Sequence, residues 1–105
     1  MIHYHVWFSL KPGIDEREGL SVVRTFLNDL FRAGEISGFH LLENSGKPPK
    51  TRLLPFHALI EFRSDAQFGA AFAAQAEKGI HNGAHGRVLA RVAEFQIEVF
   101  KEIAF

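Results

Sequence analysis

The chain has no cysteine among its 105 residues. That excludes disulfides, thiolate metal sites and a cysteine nucleophile, and it suits a reducing compartment without requiring one. No apolar run approaches the ~18 residues of a membrane span. The opening Met1-Ile2-His3-Tyr4-His5 lacks a basic leader, and no small-residue cleavage site follows an apolar run, so no signal peptide is expected. Neither sign of charge is in excess: twelve Lys and Arg balance twelve Asp and Glu. Such a balance argues against broad attraction to nucleic acid or anionic membrane and permits self-association. Repeats, linkers and low-complexity stretches are missing too. The expectation is one cytoplasmic domain over residues 1–105, with no membrane and no nucleic-acid partner.

What is present is core material. Apolar residues make up 47% of the chain, and eleven residues are Phe. A domain of this size buries roughly two-thirds of its unfolded surface, enough for one core without staples.

Ile2 to Leu10 is rich in aromatic and β-branched residues and reads as a strand, ended by Lys11-Pro12-Gly13. A helix is expected from Asp15 to Ala33. Asp15, Glu16 and Glu18 suit the positive end of its dipole, Leu20, Val23, Phe26, Leu27, Leu30 and Phe31 form its apolar stripe, and Gly34 fits just past its end. A second strand is expected from Ile36 to Asn44. The loop after it carries Lys47, Lys50 and Arg52, which could draw an anion but read more simply as an exposed hairpin connection. "FHALIEF", Phe56 to Phe62, is the third strand, and Ser64-Asp65-Ala66-Gln67 fits a capping box opening a second helix. The glycines of "KGIHNGAHG" interrupt that helix. A shorter one, Arg87 to Ala93, and a last strand, Phe95 to Ile103, complete the chain.

The order βαββαβ is the ferredoxin-like pattern, an α+β fold with a four-stranded antiparallel sheet and its helices on one face. Strand alternation then sorts side chains by face. Ile2, Tyr4, Val6, Phe8, Leu10, Phe56, Ala58, Ile60, Phe62, Phe95, Ile97 and Val99 form an apolar layer that should meet the helices. The opposite face collects His3, His5, Trp7, His57, Leu59, Glu61, Gln96, Glu98 and Phe100. In the second strand the parity is open. If Phe39 and Leu41 meet the helices, His40 joins the second face, which then holds four of the six histidines. That face is too apolar for water and too polar for an ordinary core. It fits a homodimer interface whose histidines are hydrogen-bonded, with Glu61, Glu98 and Gln96 available.

"HVWFSLKPG", His5 to Gly13, resembles the opening of the dimeric α/β-barrel superfamily, which includes the stress-responsive proteins. "FHALIEFRSDAQF" and "HNGAHGRVLARV" resemble the third strand, helix start and His-Pro-Ala-His turn of the same proteins. With "FKEIAF" at the end, the likeness is strongest to an uncharacterised bacterial branch and covers nearly the whole chain. The resemblance implies a homodimer with its two sheets face to face. In some relatives it also implies a pocket between sheet and helices that takes a small apolar or aromatic molecule for cofactor-free oxygenase or cyclase chemistry. Only part of the cyclase pattern carries over. Its first-strand His falls on Tyr4 and its third-strand His on Phe56, so His5 and His57 miss by one position and face the other way. The first His of the turn falls on Asn82, His85 matches the second, and Phe72 is the aromatic nearest the catalytic Tyr. The resemblance thus leaves His85 and Tyr4 as acid–base candidates and Phe56 and Phe72 as ligand contacts. Otherwise the chain is a non-catalytic dimeric module.

His3, His5, Trp7 and His57 could instead form a metal or acid–base site, since neutral imidazoles two apart on a strand face bind transition metals. The interface reading is preferred, with His3 close to a fraying terminus. His81 and His85 have helical i, i+4 spacing, but the glycines around them point to a turn. No metal site or cofactor is expected. The glycines of "GIHNGAHG" do not follow a strand, as a dinucleotide fingerprint requires. An RNA-binding sheet needs basic neighbours around its exposed aromatics, and this face carries acids instead.

Overall fold

Strand β1 (Ile2–Leu10) sits inside a four-stranded antiparallel sheet of order β2-β3-β1-β4, where β2 is Gly38–Glu43, β3 Phe56–Phe62 and β4 Val92–Lys101. Helices α1 (Glu16–Arg32), α2 (Asp65–Lys78) and α3 (Gly83–Leu89) complete the chain. This computed structural model describes residues 1–46 and 53–105, so the basic cluster Lys47, Lys50 and Arg52 lies outside the described residues. The element order and the one-sided helix layer are those of the expected ferredoxin-like α+β fold.

Alternation in β1 and β3 produces the core directly. Ile2, Phe8, Phe56, Ala58, Ile60 and Phe62 are all buried on the helix side, where Val23 and Leu27 of α1 and Ala71 of α2 meet them. The pairs Ile2–Phe62, Tyr4–Ile60, Val6–Ala58 and Phe8–Phe56 stand opposite one another across the two strands. Phe39 and Leu41 pair with Ile60 and Ala58, so β2 turns these two inward and His40 outward.

The helix termini explain where the helices stop. The Asp15 carboxylate accepts the Glu18 N–H at 3.0 Å, satisfying one orphan donor of α1. At the other end Gly34 takes φ +75°, its N–H bonds the Phe31 carbonyl, and the Glu35 N–H bonds that of Leu30. This is a Schellman closure, and it needs a residue at ease in the left-handed region. Ser64 caps α2 through the Gln67 N–H at 3.1 Å. The Gln67 side chain does not reach back to the cap residue as a capping box would. Its amide oxygen accepts from the Ser37 hydroxyl and the Arg63 N–H, both at 2.8 Å, and its NH2 donates to the Gly34 carbonyl at 3.1 Å. One buried amide therefore ties the end of α1, the lead into β2 and the β3–α2 corner together.

The chain departs from its sequence-based reading chiefly near the C-terminus. The third helix spans Gly83–Leu89 rather than Arg87 to Ala93, and the last strand starts at Val92 rather than Phe95. Gly79, at φ +85°, ends α2 as expected, but Gly83 and Gly86 do not hold off the next helix. Gly86 lies within it because a Cβ there would collide with the His81 carbonyl oxygen, so the preceding turn can approach only a glycine. Arg91 then fixes the junction: its guanidinium makes a forked pair with Glu18 of α1, the shortest N–O distance being 2.8 Å, and its carbonyl accepts the Lys11 N–H. That pairing starts β4 at Val92, opposite Leu10, with a bulge before the regular ladder.

A second departure concerns the helix side of β4. Phe95, Ile97 and Val99 share a face with Phe8, Val6 and Tyr4, yet they are 59%, 41% and 48% exposed. The expected apolar layer is thus covered over β1 and β3 and open over β4, because α2 lies against β3 and α3 packs on α1.

Candidate functional site

Among the described residues, the open face of the sheet and a cleft among the helices gather the candidate functional side chains.

On the open face the register sets Trp7 between His57 and Gln96, His5 between Leu59 and Glu98, and His3 between Glu61 and Phe100. Three rings lie nearly parallel: Trp7 to His57 at 4.7 Å, His5 to His57 at 5.0 Å and His5 to Trp7 at 5.5 Å between centroids. Phe100 closes edge-on against His5 at 4.9 Å. Within the stack, His5 Nδ1 and His57 Nε2 are 2.9 Å apart. One nitrogen must carry the proton and the other accept it, so both rings cannot be cationic while this bond stands. Burial pushes the pKa of both histidines below the ordinary value, and like charge deepens the shift, from His3 on His5 and from His5 on His57. The outer histidines engage acids instead. His3 Nε2 lies 2.8 Å from Glu102, whose carboxyl that bond holds below its usual range, and His40 Nε2 lies 3.2 Å from Glu61.

His3, His5, Trp7, His57, Leu59, Glu61 and Phe100 thus stand on one surface, joined by His40 and by Leu42, which is 48% exposed. Glu102 was not foreseen as a partner, although its parity with Glu98 and Phe100 marks it. Among the described residues, no group of three or more His, Asp or Glu is arranged to hold a metal.

The cleft lies between α1 and the α2–α3 turn, with a volume of about 470 Å³. Phe26, Leu30 and Ala33 supply its apolar wall, and Asp29, Glu35, Lys78, Asn82 and His85 its polar rim. His85 packs edge-on against Phe26 with centroids 5.3 Å apart. Its Nδ1–H donates to the Ile80 carbonyl, which selects the tautomer and leaves Nε2 as the nitrogen able to accept. Asn82, below it, donates its side-chain amide to the Lys78 carbonyl and closes α2. The turn that carries His85 is therefore held from both sides.

The other residues named from the resemblance sit elsewhere. Tyr4 packs edge-on between Phe68 and Phe72 at 6.1 and 5.3 Å, and burial raises its phenol pKa. Phe56 is core, against Phe8. Tyr4, Phe56 and Phe72 are not in the wall of the cleft that His85 lines. Phe26, Asp29 and Lys78 face it instead. Phe26 and Leu30 were visible in the sequence as members of the α1 stripe, but nothing there separated the cleft wall from the core.

No helix among the described residues is long and apolar enough to cross a membrane. The fold recurs in solved structures of low sequence identity. A protein of Arabidopsis thaliana superposes with a TM-score of 0.73 at 13% identity, covering 100% of this chain and 98% of that one. A dabb family protein with a ferredoxin-like fold from Mesorhizobium loti gives 0.67 at 18%, covering 98% and 97%. A dimeric ferredoxin-like protein of unknown function from Thermobifida fusca gives 0.65 at 16%, covering 94% and 88%. These likenesses show the ferredoxin-like fold expected from the sequence. No functionally curated protein matches the chain. The profile of a family of unknown function, DUF6614, matches residues 1–104, and the chain belongs to that family.

Proposed function

We propose that the protein is a homodimer that binds a small apolar or aromatic molecule in the cleft beside His85 and acts on it without a cofactor, in the manner of an oxygenase or cyclase. The observation that carries this reading is the tethered His85. Its Nδ1–H is committed to the Ile80 carbonyl, so Nε2 is the basic atom at the rim of a cleft walled by Phe26 and Leu30. A general base needs this combination of a chosen tautomer, a fixed ring and a largely apolar chamber. An acidic C–H or phenolic O–H lodged against Phe26 would deliver its proton to Nε2. Lys78 at the rim supplies a positive charge for the anion left behind. Tyr4, held between Phe68 and Phe72, is assigned to packing in this scheme.

The test is a nuclear magnetic resonance screen of small aromatic acids and phenols. Binding should shift amide resonances of α1 and α3 in the wild type and be lost in His85→Gln. Absence of any binder, or shifts confined to other elements, would end this reading.

A second reading, a non-catalytic dimeric module, is favoured by a separate observation. Trp7, Leu42, Leu59 and Phe100 gather on a sheet face that no helix among the described residues covers, interleaved with histidines already paired to Glu61 and Glu102. A second copy placed sheet to sheet would bury that surface. Sedimentation should find a dimer in the wild type and a monomer in Trp7→Arg. The two readings part at the cleft: a dimer with no ligand for His85 supports the module alone.

A further inference from the structure

We infer that the His5–His57 pair is a proton switch in the subunit interface: its hydrogen bond holds while one ring is neutral, and acid separates the two protomers by charging both. The inference rests on the dimer reading of the open sheet face given above.

The geometry sets the response to each proton. With both rings neutral, one N–H donates across 2.9 Å to the other nitrogen. A first added proton leaves that bond in place, since a cationic ring donates to a neutral one at least as well. A second proton puts hydrogen on both facing nitrogens. The bond is then impossible, and two positive charges face each other with ring centroids 5.0 Å apart.

Charged neighbours determine whether the second proton is tolerated. On the same face of β1, His3 is the nearest titratable group, and it is bonded to Glu102 just beyond β4. On β3, Glu61 is engaged by His40 of β2. Glu98 of β4 stands opposite His5 and can offset one positive charge there. His57 has Trp7 opposite it on β1 and Leu42 on β2, so neither cross-strand partner is acidic. The ring face of Trp7 favours a cation on His57 only weakly compared with a carboxylate. In an isolated protomer, water supplies what the neighbours do not. Between two sheets it cannot, and the doubly charged pair is driven toward the separated state. Burial acts in the same direction, keeping both rings neutral near neutral pH.

Sedimentation equilibrium at pH 7.5 and 5.0 tests this, with circular dichroism at each pH. The expected result is a dimer at pH 7.5 and a dissociation constant at least ~10-fold higher at pH 5.0, the effect of a one-unit difference in a single pKa between bound and free protomers. The pH 5.0 species should keep its fold. In His57→Gln the constant should not change with pH, and His5→Gln serves the same purpose should the first variant fail to fold. Equal affinity at both pH values in the wild type overturns the switch and leaves the dimer standing. A monomer at both values overturns the dimer reading and the switch with it. Dissociation through unfolding, or unchanged pH dependence in both variants, also overturns the switch.

Discussion

His5 Nδ1 lies 2.9 Å from His57 Nε2, although 52 positions separate the two residues in the chain. The contact requires one neutral ring, and burial lowers both pKa values from the ordinary histidine range. The unfolded chain therefore binds more protons than the folded one between the lowered values and about 6.5. Folding stability from this pair is complete above that window and declines as pH falls through it. Urea midpoints at pH 7.5 and 5.5 should differ in that direction, and the difference should shrink in His57→Gln. Glu102 titrates in a separate, more acidic range, because its lowered pKa removes stability only as pH drops below the usual carboxylate values.

Gln67 satisfies three polar groups at once, on Ser37, Arg63 and Gly34. Gln67→Leu keeps the volume roughly constant and strands all three. An unpartnered buried group costs about 1–3 kcal/mol, so the loss should exceed that of an ordinary surface change several-fold. Chemical denaturation measures it directly. A value within ~0.5 kcal/mol of wild type would mean that these groups find other partners.

Two glycine substitutions should act in opposite directions. At Gly86 a Cβ meets the His81 carbonyl, so Gly86→Ala must push the turn away and destabilise the protein by roughly 1–3 kcal/mol. Gly69 lies inside α2 with open space where its Cβ would be, and Gly69→Ala should stabilise by about 0.5–1 kcal/mol. Thermal melts of the pair make the comparison. The Gly86 change should also disturb any ligand binding at His85, whose ring is tethered to the same turn.

The strands on either side of β1 differ in cover. Ile60 of β3 is 8% exposed and Ile97 of β4 is 41% exposed, although both belong to the helix-side face. Ile60→Ala should cost ~2–5 kcal/mol, the usual range for a core truncation. Ile97→Ala should cost under ~1.5 kcal/mol, since much of its surface is already in water. Equal costs would show that β4 is covered in solution by something beyond its own helices.

How much of this was legible in the sequence depended on how local its cause was. β1 and β3 alternate strictly, so their faces could be assigned residue by residue, and Asp15, Gly34 and Ser64 announced helix ends through chemistry that acts within a few residues. The start of α3 was misplaced because Gly83 and Gly86 look like breakers. The reason for Gly86, the nearness of the His81 carbonyl, exists only once the turn has folded. The cleft was hidden for a related cause. Phe26 and Leu30 belong to the same helical stripe as Val23 and Leu27, and only the placement of the α2–α3 turn separates wall from core. The meeting of His5 with His57 required the register between β1 and β3. Alternation predicted the shared face but not which nitrogen would meet which.

β4 is the last strand made and an edge of the sheet, joined to β1 along one side and largely bare on both faces. Its release would leave β2, β3 and β1 under α1 and α2 with their core contacts intact. Amide exchange should therefore be fastest in β4 among the strands and should report an opening well below the global unfolding free energy. Such an opening removes Glu98 and Phe100 from the open face while His5 and His57, on the two inner strands, stay side by side. With that outcome, the histidine pair stands on the strands that stay paired, and the carboxylate able to neutralise it, Glu98, on the strand that opens first.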